Sequence, residues 1–554
     1  MGELCQQASD RVAHFGTVDN HINSAVIQQK FGTLEAFRQL LANGLFGLCG
    51  DLHAAANPAA DDATHNRQMA EARVDSANQI ARRYFHFVGR AKEQARAVNE
   101  QALEFEGWEV MENKRPHWEA QQELERLRSE AVGMLGEAEA AYLQALAYEP
   151  DNKTARQGLA RLYWTRLEEA EERGDSFEAL YYKNLVARNN TGAFDEQLRG
   201  DGQLKITTEP PGLEVELERL QVQDRIISPA AAWSVGRTPV ELPKLTMGRY
   251  RARINTGQNT PLLTSFAVER SAGIDLHIRV PQNVPDDFIF VSPGPALIGD
   301  DNPGSSTLAR QHIDIGGFLL ARYPVTMAEY LEFINALERT DPAAAIGHMP
   351  RTRGAGILCQ KSTNGHYEPI DGLIVGPARQ RYPHKQGHEW FLPVFGISWY
   401  DAQAYIAWRS QRDNRIYRLP DEIEWEKAAR GGDGRRYPWG DVFEASFCKS
   451  SRSRPEPAQP EPVGTFPQDC SPFGVRDMAG GIGEWTRSLF TSSGSTYDER
   501  AQHDPEMTSF ERVCRGGSWN TPDVFCAATF RTPMLPSSRE PSVGFRLAMD
   551  VPQP

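Results

Sequence analysis

Two runs near the C-terminus decide how this chain is read: Arg515-Gly516-Gly517-Ser518-Trp519, and Ser542-Val543-Gly544-Phe545-Arg546-Leu547-Ala548. Adjacent glycines before Ser-Trp mark a backbone that must pass close to another part of the molecule. Glycine reaches positive φ and puts no Cβ in the way. The second run alternates, with Phe545 and Leu547 on one face of a strand and Arg546 on the other, and reads as a closing strand. A lone cysteine, Cys526, stands between the two runs.

Working outward, the runs end a block that starts near residue 286. FIFVSPGPALIGDD (Phe288–Asp301) reads as a hairpin about Pro293-Gly294. GGFLLARYPVTMAEYLEFINAL (Gly316–Leu337) reads as a strand, then a helix with Tyr330, Phe333, Ile334 and Leu337 inward. LPVFGISWYDAQAYIAWRSQR (Leu392–Arg412) repeats that plan, with Asp401 in the first helical turn, where a negative charge suits the helix dipole. RLPDEIEWEKAARGG (Arg418–Gly432), YPWGD (Tyr437–Asp441) and GVRDMAGGIGEWTRS (Gly474–Ser488) follow in order. These motifs, in this order, resemble the formylglycine-generating enzyme (sulfatase-modifying factor) superfamily over 286–551. The resemblance implies an α+β fold of the C-type-lectin kind.

Upstream, the composition changes twice. QLKITTEPPGLEVELERL (Gln203–Leu220) alternates at Leu204 and Ile206, then at Leu213, Val215 and Leu217, about a Pro210-Pro211-Gly212 turn. With Gly236-Arg237-Thr238-Pro239, this stretch resembles a PEGA module, a small β-sandwich over 201–283 that carries no chemistry. Residues 61–198 are rich in Ala, Glu, Leu, Arg and Gln and read as all-α. Ala140–Trp164 resembles a single tetratricopeptide-type helix pair broken at Pro150. The head, 1–60, has amphipathic spacing at Ile22, Val26, Phe31, Leu34, Phe37, Leu41 and Leu45, with no recognised role. This order of regions is similar to the C-terminal part of some bacterial serine/threonine kinases, but this chain has no Gly-rich loop with a strand lysine, no HRD and no DFG.

The totals narrow the function. The chain has 554 residues, enough for several domains. A net charge of −14 speaks against a nucleic-acid surface, because phosphate contacts need a basic face. No run is apolar and long enough to cross a bilayer. The amino terminus lacks a signal-peptide pattern, and seven irregularly spaced cysteines suit a reducing compartment, so a cytoplasmic setting is expected.

What the family resemblance implies for chemistry is tested residue by residue. Its oxidases hold copper(I) between two cysteines, the first two residues past the Gly-Gly-Ser-aromatic run and the second five residues further. Here Thr521 takes the first place and Cys526 the second, and one thiol alone cannot make a two-coordinate site. The ergothioneine branch binds iron through His-x-x-x-His-x-Glu. His384, His388 and Glu389 approach that set, with the glutamate one place early and Pro383 and Gly387 interrupting a helix. A calcium-type site in the family uses the Gly-Asn-x-x-Glu-Trp segment. Glu484 is kept, but Gly481 replaces the asparagine. The acids Asp421, Glu422, Glu424 and Glu426 read as the first turns of a helix rather than as an acid/base pair. Trp485, Ser518, Trp519, Arg531 and Arg539 match positions lining the peptide groove of catalytic relatives. The expectation is a pseudoenzyme that binds a protein or peptide in bacterial signalling or defence. The alternatives are a copper- or iron-dependent oxidase and a protein controlled by cleavage in Arg452–Gly464.

Overall fold

A computed structural model describes residues 60–101 and 110–551, apart from 174, 259, 301–305, 353–355, 371–372, 374–386, 456 and 492–509. The apolar positions of the head and His384 fall outside the described residues. The chain divides into two compact units, 1–195 and 196–554.

The first unit is helical: α1 (Ala60–Gln101), α2 (Met111–Tyr148), α3 (Lys153–Glu172) and α4 (Ser176–Asn189). Small residues line its seams. Ala70, Ala77 and Ala81 of α1 and Ala131, Ala138 and Ala145 of α2 are buried, so long helices can lie close together. The break read at Pro150 is present. Asn152 caps α3, its side-chain oxygen accepting from Ala155 N at 2.9 Å. Gly158 is where the Tyr142 ring seats, and an added Cβ would lie 2.2 Å from Cζ of that ring. A short helix, α5 (Asp195–Arg199), follows.

The second unit opens with eight strands: β1 (Asp201–Glu209), β2 (Glu214–Gln223), β3 (Ile226–Pro229), β4 (Trp233–Arg237), β5 (Val240–Thr246), β6 (Gly248–Asn255), β7 (Leu262–Val268) and β8 (Gly273–Arg279). One sheet runs β5-β1-β8. The other runs β3-β2-β6-β7, with β4 also on β2. The alternation read from the sequence aims Leu204, Ile206, Val215 and Leu217 into the layer between the sheets, where they meet Tyr250, Phe266 and Leu276.

The rest is an α+β domain with several small sheets. Its strands are β9 (Phe288–Val291), β10 (Gly294–Ile298), β11 (Gln311–Ile315), β12 (Phe318–Ala321), the short pairs β13 (Arg351–Thr352) with β14 (Gly356–Ile357) and β15 (Cys359–Lys361) with β16 (Tyr367–Pro369), then β17 (Gly483–Leu489), β18 (Arg512–Arg515), β19 (Arg531–Met534), β20 (Val543–Gly544) and β21 (Ala548–Asp550). The helices are α6 (Met327–Thr340), α7 (Pro342–His348), α8 (Trp399–Asp413) and α9 (Glu422–Arg430). Helices α6 and α8 start on capping boxes, Thr326 with Glu329 and Ser398 with Asp401. The strand expected before α8 does not form, and Pro393 makes only an isolated bridge to Thr326. Sheet β19-β18-β17-β20 holds Arg515 of the first quoted run and Val543-Gly544 of the second, and sheet β21-β12-β9 joins the domain's ends. Tyr330, Phe333, Tyr405 and Phe545 pack ring against ring between them. Two expectations are corrected: residues 545–547 lie outside any strand, and β9 and β10 pair with β12 and β11 instead of forming a hairpin about Pro293-Gly294.

The sandwich is fastened to this domain at its β2–β3 turn, by Arg249 of β6, and by a bridge between Phe266 of β7 and Gly432. Asp224 and Arg225, both at positive φ, turn β2 into β3. Beyond the turn, Ile227 N donates to Trp439 O at 2.6 Å, and Arg225 Nη1 reaches Glu444 at 2.9 Å. Arg249 Nη1 binds Asp441 at 2.6 Å. The loop so held, 437–448, leads to the candidate site.

Candidate functional site

The quoted glycines do what their sequence demands. Gly516 and Gly517 have φ of 99° and 68°. A Cβ on Gly516 would lie 2.9 Å from the Trp425 ring, and one on Gly517 2.9 Å from the Phe525 backbone. The run is threaded between α9 and the short 3-10 helix Asp523–Cys526. Facing it, Gly480 N donates to Gly516 O at 2.5 Å, and Trp519 N to Gly481 O at 3.0 Å.

The charged residues of the motifs turn inward and pair. Arg546 is fully buried, not on an outer strand face. Its Nε and Nη2 donate to Glu484 at 2.6 Å each, and Trp425 Nε1 donates to the same carboxylate at 2.7 Å. Arg531 Nε binds Glu422 at 2.6 Å, while Arg515 and Arg430 share Glu426. Arg418 makes a two-pronged contact with Glu424, 2.7 Å to each oxygen. The acidic run of α9 is therefore a set of internal ion pairs, consistent with the non-catalytic reading. Buried charges persist only when so paired.

This pairing corrects the expected groove. Arg531 and Trp485 are 0% exposed and line no rim. Arg531 is committed to Glu422, and Trp485 Nε1 donates to Ile397 O at 3.2 Å. Ser518 is also buried, its hydroxyl donating to Asn520 Oδ1 at 2.7 Å. Only Trp519 and Arg539 are half-buried. Trp519 Nε1 donates to Pro541 O at 3.0 Å, and Arg539 binds Asp401 at 2.8 Å and Gly347 O at 2.9 Å.

The metal-type sets fare similarly. Glu484 is saturated by Arg546 and Trp425, so it does not serve a calcium ion beside Gly481. The adjoining cavity, about 20 Å³, has room for roughly one water molecule. Its wall already carries a cation, Lys449, 3.4 Å from Glu461, together with Asp469 and Asp477. An ammonium there opposes a second cation. Burial, then the Asp477 charge, pushes Asp469 up to about 8. Burial pushes Asp477 up to about 6. His388 and Glu389 lie on a 3-10 turn, His388–Phe391, rather than on an α-helix, and Glu389 is buried. No cluster of three or more metal-ligating side chains occurs among the described residues.

At the copper-type position, Thr521 is locked. Its hydroxyl accepts from Ser518 N at 2.8 Å and donates to Ser518 O at 3.1 Å. The cysteine pair of the oxidases does not fit this arrangement. Cys526 nevertheless has a neighbour that the sequence reading missed. Cys514 belongs to a different core, whereas Cys448 shares the small core of Tyr437, Trp439, Ala479, Cys526 and Ala527. Its proximity to Cys526, together with burial, holds the Cys448 thiol well above the ordinary thiol range. Burial does the same to Cys514. The one sequence signal was a cysteine shortly after the YPWGD run.

A separate open hollow of about 370 Å³ lies on α6 and α8, edged by Arg339, His366, Trp390, Trp408 and Arg412. Arg412 stacks over the Trp408 ring at 4.8 Å.

Comparison with known proteins matches residues 276–551 to the sulfatase-modifying factor enzyme 1-like domain. A hercynine oxygenase of Mycolicibacterium smegmatis is 31% identical over 315 residues, 54% of this chain and 67% of that protein. The inactive C-alpha-formylglycine-generating enzyme 2 of Mus musculus is 34% identical over 295 residues, 48% of this chain and 87% of that protein. The serine/threonine-protein kinase Pkn1 of Chlamydia trachomatis is 28% identical over 308 residues, 53% of this chain and 44% of that protein. Against the hercynine oxygenases it matches, the chain spans from about half to two thirds of their length.

Proposed function

This chain belongs to the sulfatase-modifying factor enzyme 1-like family, and we propose that it acts as a protein- or peptide-binding regulator rather than as an oxidase. The family includes both catalytic and inactive members, so membership alone does not choose. The observation that carries the proposal is Thr521, hydrogen-bonded at both ends to Ser518 in the place where the oxidases need a thiol. Around it, the scaffold's buried ion pairs are complete.

The surface best suited to a partner is the open hollow on α6 and α8. Tryptophan and arginine dominate binding hot spots, and Trp390, Trp408, Arg339 and Arg412 border it. In this reading the C-type-lectin-like domain presents the hollow, the PEGA-like sandwich braces its neighbouring loop, and the tetratricopeptide-like helices add a second docking element. A cytoplasmic signalling or defence role fits that assembly. Among the described residues, no helix is long and apolar enough to cross a membrane. Control by cleavage is not favoured. In the described part of Arg452–Gly464, Gln459 and Glu461 are buried and Arg454 holds Glu461 at 3.0 Å through two nitrogens.

Metal analysis of protein purified without chelators tests the proposal. Substoichiometric copper, iron and calcium is the expected result. One equivalent of copper or iron per chain would favour the oxidase alternative.

A further inference from the structure

Cys448 and Cys526 come from segments far apart in the chain and share one small buried core with Tyr437, Trp439, Ala479 and Ala527. Both side chains are 0% exposed. Backbone bonds pin the segments together on either side of the pair. Ser451 N donates to Thr521 O at 3.0 Å, and Ala528 N donates to Arg436 O at 2.9 Å. Arg452 adds an ion pair to Asp523 at 3.3 Å. Gly480 lies against both segments, because a Cβ there would sit 2.1 Å from Lys449 O and 3.6 Å from Cys526 Sγ.

We propose that Cys448 and Cys526 are a modification site for a small two-electron oxidant of the peroxide class, which joins them in an intramolecular disulfide. One sulfur attacks a peroxide oxygen, the O–O bond breaks, and a sulfenic acid and one water result. The second sulfur displaces the sulfenic oxygen as a second water, and the S–S bond forms. The two thiols lose two hydrogens and two electrons, and the peroxide is reduced to two waters.

In the closed fold both thiols are shielded, so reaction waits on opening of a cover. The 3-10 helix Asp523–Cys526 is that cover. It is a single turn held by bonds of 3.2 Å (Phe525 N to Pro522 O) and 3.4 Å (Ala527 N to Val524 O), with Pro522 and Val524 exposed. Such short 3-10 turns are weakly bonded and open locally at little cost. Closing the disulfide fixes the turn beside Trp519 and ties the YPWGD loop to it.

The test is a cysteine map of the full chain. Reduced protein is treated with hydrogen peroxide, unfolded, alkylated and digested. The expected result is one peptide pair joined through Cys448 and Cys526, with Cys359 and Cys514 still alkylated. The oxidised form should also melt roughly several degrees higher, since a cross-link removes freedom from the unfolded chain. Cys448→Ala should lose both the joined peptides and the melting shift. If that variant does not fold, the map of the unmodified sequence decides alone. Recovery of Cys448 and Cys526 as separate alkylated or over-oxidised residues, or joined to other cysteines, would overturn the proposal.

Discussion

Arg546 and Glu484 form an ion pair in the interior of the domain. Both are fully buried, and each is the other's only charged hydrogen-bond partner among the described residues. Removing one side of such a pair strands the other, at a cost of about 3–5 kcal/mol. Arg546→Ala is therefore expected to lower unfolding free energy by about that amount in urea titration, and a loss below ~1 kcal/mol would show the pair to be dispensable. The buried acids set a pH dependence. With Asp469 at about 8 and Asp477 at about 6 against an ordinary 3.8, the folded protein keeps protons that the unfolded chain releases. Stability thus falls as pH rises from about 4 towards 8. Lys427 has the opposite sign. Burial pushes it down to about 7, so above that the unfolded chain holds the extra proton and stability rises with pH towards 10.5. Between pH 5 and 7 the carboxylates dominate. Asp469→Asn should shrink the loss of stability over that range in denaturant midpoints, and an unchanged slope would refute the assignment. At this scale the sequence was only half legible. The glycines and the absent thiol at Thr521 could be read directly. The inward turn of Arg531, Arg546 and Trp485 could not: β17, which carries Trp485, is buried on both faces and breaks the inside-outside alternation, and the two arginines are drawn inward by acids distant in sequence, Glu422 and Glu484.

The elements were easier to read, since capping and periodicity are local. Thr326 with Glu329 and Ser398 with Asp401 begin α6 and α8 where the helical spacing starts. Asp421 and Glu424 start α9 just after Pro420. Ser398→Ala removes a hydroxyl that donates to the Asp401 carboxylate and accepts from Asp401 N, and should cost about 0.5–2 kcal/mol. The β2–β3 turn was not legible as a fastener. Nothing in Asp224-Arg225 says that Ile227 N will bind Trp439 O across more than two hundred residues. Arg249→Ala, which removes the ion pair to Asp441, should speed amide exchange in 437–447 while leaving α6 and α8 protected. Equal exchange in both proteins would mean that the sandwich does not brace the loop.

For the whole molecule, motif order was more informative than any single motif. It placed the domain at 286–551, and the family match covers 276–551. Function was less legible, because the same scaffold serves oxidases and inactive relatives, and the difference rests on a few side chains. Cys448 and Cys526 show why: residues far apart in sequence share one small core only in the folded domain. We propose that the scaffold is kept without the family's oxidase chemistry. The most direct test is incubation of the reduced protein with copper(I), oxygen and a cysteine-containing sulfatase peptide, followed by mass spectrometry of the peptide. The account predicts no formylglycine above a protein-free control. Formylglycine that appears only with copper and disappears in Cys526→Ser would contradict it.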